Sequence, residues 1–433
     1  MLLYRFIWFS LFAVFRVYFR KIYLNNQKTI RKNTPYIVAS NHPNSFLDSV
    51  IGPTFQWRQW NFLARGDVFK KGIIKQLMTW MNMLPIFRRS DAKNNNEKNQ
   101  LTFELVADLL KRKRMVMIFS EGHCVIEKRL RPITKGTARM AFHACEKHGY
   151  DIDLEILPTG LNYTEPFGIR AEIYYNYGDP IKVKDYQALY LEEPNKAIVT
   201  LTAEIEKRLK VCIVHVNHGL DEQAEILFKI YKNDRLVRRF PIIEKDHVRA
   251  FDEEKSIANL LNHWQESEPK KLEKLEDQLF TYQKKLAEFN MHDAYFSKIS
   301  SSKFFQRLYL GLFFPLWAYG FLTNFFVFRF AKHYPSKLLK SKVFYSSLRI
   351  GLIIIGYWIY LLIILLSLSI LFSFPIAILY LVFHVIAGYS FVLAFDIIKE
   401  LKESRKSNSA SEAQLSEIQE MRDSIITTVE NAL

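Results

Sequence analysis

Short apolar runs alternate with longer segments of helical period between residue 32 and about residue 183. This alternation of strand-like and helix-like segments is typical of an α/β domain. The apolar runs predict strands at residues 36–39, 61–64, 84–87, 115–119, 154–158 and 173–177. The segments between them predict helices, among them 73–83, 101–112 and 135–148. We therefore expect residues 29–190 to form an α/β domain with a mixed sheet flanked by helices.

The hydrophobic pattern changes beyond this domain. Residues 191–300 are charged with a helical period and predict a helical extension. Residues 350–395 contain no Asp, Glu, Lys or Arg. Because a spanning helix needs about 20 apolar residues, they predict a transmembrane helical hairpin. The stretch before it, 301–330, is apolar but interrupted by polar residues and proline, and we expect it to be re-entrant or interfacial.

The two ends of the chain differ in character. Residues 1–28 are aromatic and basic and lack the small-residue cleavage site of a secretory signal, so they predict a helix at the membrane interface. Residues 396–433 are polar and predict a cytoplasmic tail with a helix at 412–429. Basic residues flank the apolar hairpin on both sides, which favours a membrane protein whose α/β domain and termini face the cytoplasm.

Composition narrows the class of partner. The 433-residue chain has a net charge of +16 and 15% aromatic residues, which favours an anionic surface or anionic substrates. The basic residues cluster beside the apolar segments and no nucleic-acid-binding motif is present, so we expect membrane lipid and not nucleic acid. The three cysteines form no C-x-x-C pattern, so neither a disulfide framework nor a metal site is expected.

The candidate chemistry begins in "PYIVASNHPNSFLD", residues 35–48. His42 follows a predicted strand, where α/β sheets place functional residues. Asp48 could reach back from the next helix and fix the imidazole in one tautomer. Alternatively, Ser45 caps that helix, because Ser45 and Asp48 have the spacing of a capping box. The residues alone leave both interpretations open.

Four segments together resemble a known family. "NHPNSFLD" at 41–48, "LPIFRR" at 84–89, "IFSEG" at 118–122 and "ILPTG" at 156–160 are similar in order and spacing to the motifs of glycerol-3-phosphate and lysophosphatidate acyltransferases. The similarity is strongest to the branch that accepts glycerol-3-phosphate or dihydroxyacetone phosphate. The chain departs from the pattern in having five residues between His42 and Asp48, and in having Ser120, His123 and Cys124 where the family has Pro, Thr and Arg.

This resemblance implies a glycerolipid acyltransferase fold and a membrane-bound O-acyltransferase of phospholipid biosynthesis. Such an enzyme moves a fatty acyl group from an acyl thioester to a hydroxyl of glycerol-3-phosphate or lysophosphatidate. His42 would be the general base and Asp48 would orient it. The resemblance also implies substrate-binding roles, with phosphate contacts from the arginines and a hydroxyl contact from the glutamate, for Asn44, Ser45, Arg88, Arg89, Glu121, Gly122 and Lys135.

The expected partners follow from that chemistry. They are membrane lipid, a phosphorylated glycerol acceptor and an acyl thioester donor, either acyl-CoA or acyl carrier protein, with no cofactor and no metal. Three alternatives stay open: a lysophospholipid acyltransferase for a larger headgroup, a non-catalytic membrane scaffold, and a hydrolase. The chain contains no G-x-S-x-G motif, which weighs against a serine hydrolase.

Overall fold

The computed structural model describes residues 2–69, 72–87, 95–235, 247–297, 303–407 and 409–433. The chain divides into two compact units. Unit 1 comprises Met1–Ile213 and Ala331–Ile354, and unit 2 comprises Val214–Phe330 and Ile355–Leu433.

Unit 1 contains a mixed sheet, which in the described residues has eight strands in the order β1-β7-β6-β2-β5-β3-β4, with β8 beside β6. The strands are β1 (Lys21–Asn25), β2 (Tyr36–Ser40), β3 (Trp60–Arg65), β4 (Met83–Ile86), β5 (Met115–Phe119), β6 (Glu155–Tyr163), β7 (Glu172–Tyr177) and β8 (Ile181–Lys182). The central pairs β2–β5 and β2–β6 are parallel, and β6–β7 is antiparallel. The predicted fold class is therefore confirmed.

The strand register places the carboxyl ends of β2 and β5 side by side. Ser40, the last residue of β2, pairs with Phe119 at the end of β5 and with Thr159 in β6. All three strands run in the same direction, so the loops that follow β2 and β5 leave the same edge of the sheet. Residues equally far beyond Ser40 and Phe119, such as His42 and Glu121, are thereby brought together.

Helices cover the sheet because their apolar faces need burial. They are α1 (Leu2–Tyr18), α2 (Ser45–Thr54), α3 (Ile73–Trp80), α4 (Asn95–Lys111), α5 (Gly136–His148), α6 (Gln187–Glu192) and α7 (Pro194–Cys212). One core joins strand residues such as Ile37 and Val116 to Val106 of α4, Phe142 of α5 and Leu201 of α7. The α7 helix falls in the predicted helical extension, but its residues pack in the core of unit 1.

Three details of unit 1 differ from the sequence-based expectations. The β1 strand was not predicted, because its partner β7 lies about 150 residues further along the chain and "KIYLN" is too short and polar to stand out. The β6 strand continues to Tyr163, beyond the predicted end at residue 158, because it pairs there with β7. The N-terminal helix ends at Tyr18, well before residue 28.

The remaining helices are α8 (Asp221–Arg235), α9 (His247–Ser267), α10 (Pro269–Glu288), α11 (Lys303–Leu312), α12 (Phe314–Leu338), α13 (Tyr345–Leu371), α14 (Phe374–Glu403) and α15 (Glu412–Glu430). Unit 2 contains most of them, while α12 and α13 contribute residues to both units. The segments Lys342–Leu371 and Phe374–Glu403 are long and apolar enough to cross a membrane. They match the predicted hairpin. The pair α11 and α12 is bent by 70°, as in a broken span or a re-entrant loop. The predicted domain boundaries stay a prediction.

The C-terminal helix α15 is anchored within unit 2 by a buried arginine. Arg422 is fully buried, and its guanidinium contacts Asp293 at 2.8 Å and Asp234 of α8 at 2.9 Å. Tyr282 of α10 donates a further hydrogen bond to Asp293 over 2.6 Å. The Arg422 side chain thus connects α15 to α8 and to Asp293, which is in turn bonded to α10.

Candidate active site

The central feature of the site is a histidine–aspartate pair at the carboxyl end of β2. His42 Nδ1 lies 2.9 Å from Asp48 Oδ2, although five residues separate the two side chains. Asp48 is fully buried, whereas the His42 side chain is 17% exposed. The aspartate therefore holds one ring nitrogen in the interior, and the imidazole remains reachable from solvent.

The helix that carries Asp48 does not begin as the capping-box interpretation predicts. Asn44 occupies the N-cap position and Ser45 is already the first helical residue, with a left-handed φ of 46°. The expectation that Ser45 caps the helix is therefore wrong. The Asp48 carboxylate instead accepts the backbone N–H of Asn44 at 2.6 Å. Asp48 thus fixes the loop containing His42 as well as the ring itself.

A tyrosine completes the surroundings of this carboxylate. Tyr163, at the end of β6, donates its hydroxyl to Asp48 Oδ1 over 2.7 Å. Burial, followed by the negative charge of Asp48, keeps the pKa of Tyr163 well above its ordinary value, so the hydroxyl stays protonated and acts as a donor. Asp48 thus receives hydrogen bonds from three parts of the chain, as a buried charge requires.

The ring and the backbone of His42 are also held by residues at the end of β5 and in the loop that follows it. Its ring stacks on Phe119 with 3.7 Å between centroids and an interplanar angle of 7°. Its backbone N–H donates to Glu121 Oε1 at 3.0 Å, and the other oxygen of Glu121 accepts the N–H of Arg131 at 3.3 Å. Burial raises the pKa of Glu121, although these two hydrogen bonds oppose that shift. The glutamate therefore clamps two loops together, and its predicted contact with an acceptor hydroxyl stays a prediction.

Gly122 follows with a φ of 71°, a conformation that glycine adopts without the cost borne by other residues. A Cβ at this position would lie 3.6 Å from Thr134 Cγ2, which is an ordinary contact. Gly122 is therefore needed for its backbone conformation.

Cys124 lies beside the pair but is poorly suited to be a nucleophile. Its Sγ accepts the N–H of Ser45 at 2.8 Å. Burial and the charge of Asp48 raise the pKa of Cys124 to about 12, so the thiol is protonated near neutral pH.

Ligand atoms of His42, Asp48 and Cys124 lie within 4.8 Å of one another, a spacing that could hold a metal ion. However, each residue is already engaged in internal hydrogen bonds, and the donor set includes a protonated thiol.

Basic residues surround the loop after β5. Glu127 binds Arg129 at 2.8 Å and Arg131 at 3.1 Å, and the hydrogen bonds from Arg129 and then Arg131 lower its pKa to about 2. Lys135 is exposed at the N-cap position of α5. The segment from Glu127 to Lys135 therefore carries a net positive charge.

The predicted site residues thus have different outcomes. His42, Asp48, Asn44, Ser45, Glu121 and Gly122 lie together, with the Asn44 side chain fully buried and bound to the Pro166 carbonyl at 2.7 Å. Arg88 and Arg89 lie outside the described residues. Sequence reasoning missed Tyr163, Phe119 and the backbone contact of Cys124. Only the position of Phe119 at the end of a predicted strand was a usable signal.

Comparisons with known proteins cover the part of the chain that contains this site. The family model named Acyltransferase matches residues 21–162, which include the sheet edge with His42, Asp48 and Glu121. Over 111 residues the chain is 32% identical to glycerol-3-phosphate O-acyltransferase 1 of Saccharomyces cerevisiae, a match that covers 25% of this chain and 14% of the yeast protein. The solved 1-acyl-sn-glycerophosphate (LPA) acyltransferase PlsC from Thermotoga maritima is 17% identical, with a TM-score of 0.32 over 46% of this chain and 77% of PlsC.

Residues 21–162 therefore form an acyltransferase domain. The predicted class, an O-acyltransferase domain of the glycerolipid type, is confirmed for these residues. The chain matches only a small part of the yeast relative's length.

Proposed function

We propose that the protein transfers a fatty acyl group from an acyl thioester to a hydroxyl of glycerol-3-phosphate or lysophosphatidate at a membrane surface. The observation that carries this proposal is the partly exposed His42 bound to the fully buried Asp48 at the sheet edge. The match of the surrounding residues to the acyltransferase family supports it.

The geometry suits a general-base mechanism. Asp48 accepts a hydrogen bond from the Nδ1–H of His42, which leaves the lone pair of Nε2 to take the proton of the acceptor hydroxyl. The hydroxyl oxygen attacks the thioester carbonyl carbon, and the carbon–sulfur bond then breaks. The imidazolium returns its proton to the leaving thiolate. Asp48 stabilises the imidazolium between these two steps.

The charge near the site favours a phosphorylated acceptor. Arg129 and Arg131 are held close together by Glu127, and Lys135 stands exposed at the start of α5. Arginine offers two N–H groups to phosphate oxygens. We propose that this cationic segment, together with Arg88 or Arg89, attracts the phosphate of the acceptor and the phosphates of an acyl-CoA donor.

The membrane helices match the physical state of the reactants. Lysophosphatidate and its product partition into the bilayer, whereas glycerol-3-phosphate is soluble. Of the apolar 18-residue stretch of each helix, only 11% is buried in α13 and 28% in α14, as expected for helices surrounded by lipid. We propose that these helices hold the protein in the membrane, with the catalytic domain on the cytoplasmic side. The basic residues that flank the hairpin support this orientation.

The test offers a panel of acceptors to the full-length protein in detergent, with one labelled acyl-CoA. The acceptors are glycerol-3-phosphate, dihydroxyacetone phosphate, lysophosphatidate and lysophosphatidylcholine, and mass spectrometry identifies the products. We expect acylation of the phosphomonoester acceptors. Preference for lysophosphatidylcholine would favour the larger headgroup, and labelled fatty acid released without any acceptor would favour a hydrolase.

A matched pair of variants tests the mechanism. His42→Ala removes the proposed base and should lower kcat by about 100- to 10,000-fold. His148→Ala is the control, because His148 also pairs with a carboxylate, Asp108, at 3.0 Å, but lies at the far end of α5. Near-normal turnover by His42→Ala would refute the mechanism. No transfer to any acceptor by the unaltered protein would favour the scaffold alternative.

A further inference from the structure

The helix that carries Asp48 has no cap of its own. The first N–H groups of a helix lack partners within it and are usually satisfied by the side chain of the N-cap residue. In α2 the N-cap side chain, Asn44, makes no such bond. Instead the N–H of Ser45 donates to Cys124 Sγ at 2.8 Å, and the N–H of Leu47 donates to Ser347 Oγ at 3.2 Å.

Ser347 comes from the first turn of α13, the first of the two apolar helices, yet lies 300 residues from Leu47 in the chain. This turn belongs to the same compact unit as the acyltransferase domain. Leu47 directly precedes Asp48, so the contact is one residue away from the carboxylate that holds His42.

Two neighbouring contacts connect the same turn to the loop that follows β6. Ser346 is 1% exposed, and its hydroxyl donates to the carbonyl of Pro166 at 3.0 Å. The same carbonyl accepts Asn44 Nδ2 at 2.7 Å. Arg349 donates to the next carbonyl, that of Phe167, at 3.0 Å. One short loop is thus held from one side by the α2 N-cap residue and from the other by α13.

We propose that the first turn of α13 is part of the active-site framework and that Ser347 is a positioning residue for the His42–Asp48 pair. Ser347 caps α2 and so fixes the position of Asp48 relative to the imidazole of His42. The apolar hairpin would then support catalysis directly in addition to holding the protein in the membrane. This inference rests on the proposed acyltransferase function.

Three variants of the full-length protein in detergent test the inference. Ser347→Ala removes the cap, while Ser347→Thr keeps a hydroxyl at the same place. Ser369→Ala is the matched control, because the Ser369 hydroxyl, also on α13, bonds to the Leu365 carbonyl of its own helix. We expect Ser347→Ala to lower kcat roughly tenfold with little change in KM, as the loss of a helix cap would. The threonine variant should recover most of the loss, and Ser369→Ala should behave as the unaltered protein.

Hydrogen exchange gives a second readout that does not depend on activity. In Ser347→Ala the amide of Leu47 should exchange faster, while the amides of β5 keep their protection. Unchanged kcat with unchanged exchange at Leu47 would overturn the inference. An equal loss in the alanine and threonine variants would also overturn it, because that result indicates packing and not the hydroxyl. If the unaltered protein transfers no acyl group, the proposed function fails, and slow exchange at Leu47 in Ser347→Ala would still refute the cap.

Discussion

The hydroxyl of Tyr163 offers a direct test of how the buried carboxylate supports catalysis. It donates to Asp48 Oδ1, and the tyrosine is almost fully buried. The substitution Tyr163→Phe removes this one donor and keeps the aromatic ring. Asp48 would retain His42 and the Asn44 N–H, but its Oδ1 would lose its partner at a position that is fully buried.

The size of the effect follows from these contacts. A hydrogen bond to a charged group contributes about 1.5–3 kcal/mol, and leaving a buried acceptor unpaired costs a similar amount. The two remaining donors still hold the carboxylate, so we expect about 1.4 kcal/mol to appear in the activation barrier, which is a tenfold lower kcat. The KM values should change little, because the Tyr163 hydroxyl is buried against Asp48.

The assay compares kcat and KM of the unaltered protein and of Tyr163→Phe with a saturating acyl-CoA. Tyr190→Phe is the matched control, since the hydroxyl of Tyr190 also donates to a carboxylate, that of Glu146 at 2.9 Å, but on the exposed side of α5. If kcat of Tyr163→Phe equals that of the control, Asp48 does not depend on this hydrogen bond. A change confined to KM would place Tyr163 in substrate binding instead.

Two further predictions concern a thiol and a buried ion pair. Because the pKa of Cys124 is raised to about 12, iodoacetamide at pH 8 should alkylate it about a thousandfold more slowly than an ordinary thiol. The alkylation rate should rise tenfold for each pH unit. Peptide mass spectrometry measures the rate, and rapid alkylation of the folded protein would contradict the prediction. Arg422→Met should leave Asp293 and Asp234 without their cation and destabilise unit 2 by about 3–5 kcal/mol, seen as faster proteolysis of α15. Glu417→Gln, which removes only an exposed partner of Lys285 at 3.5 Å, should cost less than about 1 kcal/mol, and equal proteolysis of the two variants would refute this estimate.

The strands of the sheet centre were predictable because they are buried on both faces and form unbroken apolar runs. The predicted 115–119 strand agrees with β5 at both ends, and the predicted 36–39 strand lacks only Ser40 of β2. Edge strands such as β1 carry less hydrophobic signal, since one side lacks a neighbour. The N-terminal extension of α4 to Asn95 was also missed, because "NNEKNQ" has no apolar face.

The contacts of the site also differ in how far the sequence could predict them. His42 and Asp48 share one short segment, so their meeting could be expected from their spacing and from the helix between them. The partners of Asp48 and of α2 could not, because Tyr163 and Ser347 lie 115 and 300 residues away in the chain. No local pattern marks a tyrosine that ends a strand, or a serine in the first turn of an apolar helix, as part of a catalytic site.

Substitution of the local residues, His42 and Asp48, should have different effects from substitution of the distant residues, Tyr163 and Ser347. The local pair supplies the chemistry, and loss of His42 removes the only proton acceptor of the proposed mechanism. The distant residues act on geometry alone, and Asp48 has several independent supports, so each distant substitution should lower kcat by a moderate factor. Tyr163 and Ser347 also act on Asp48 from different sides, through its carboxylate and through its helix. Their effects should therefore exceed additivity when both are removed, because each support limits how far Asp48 can move when the other is lost.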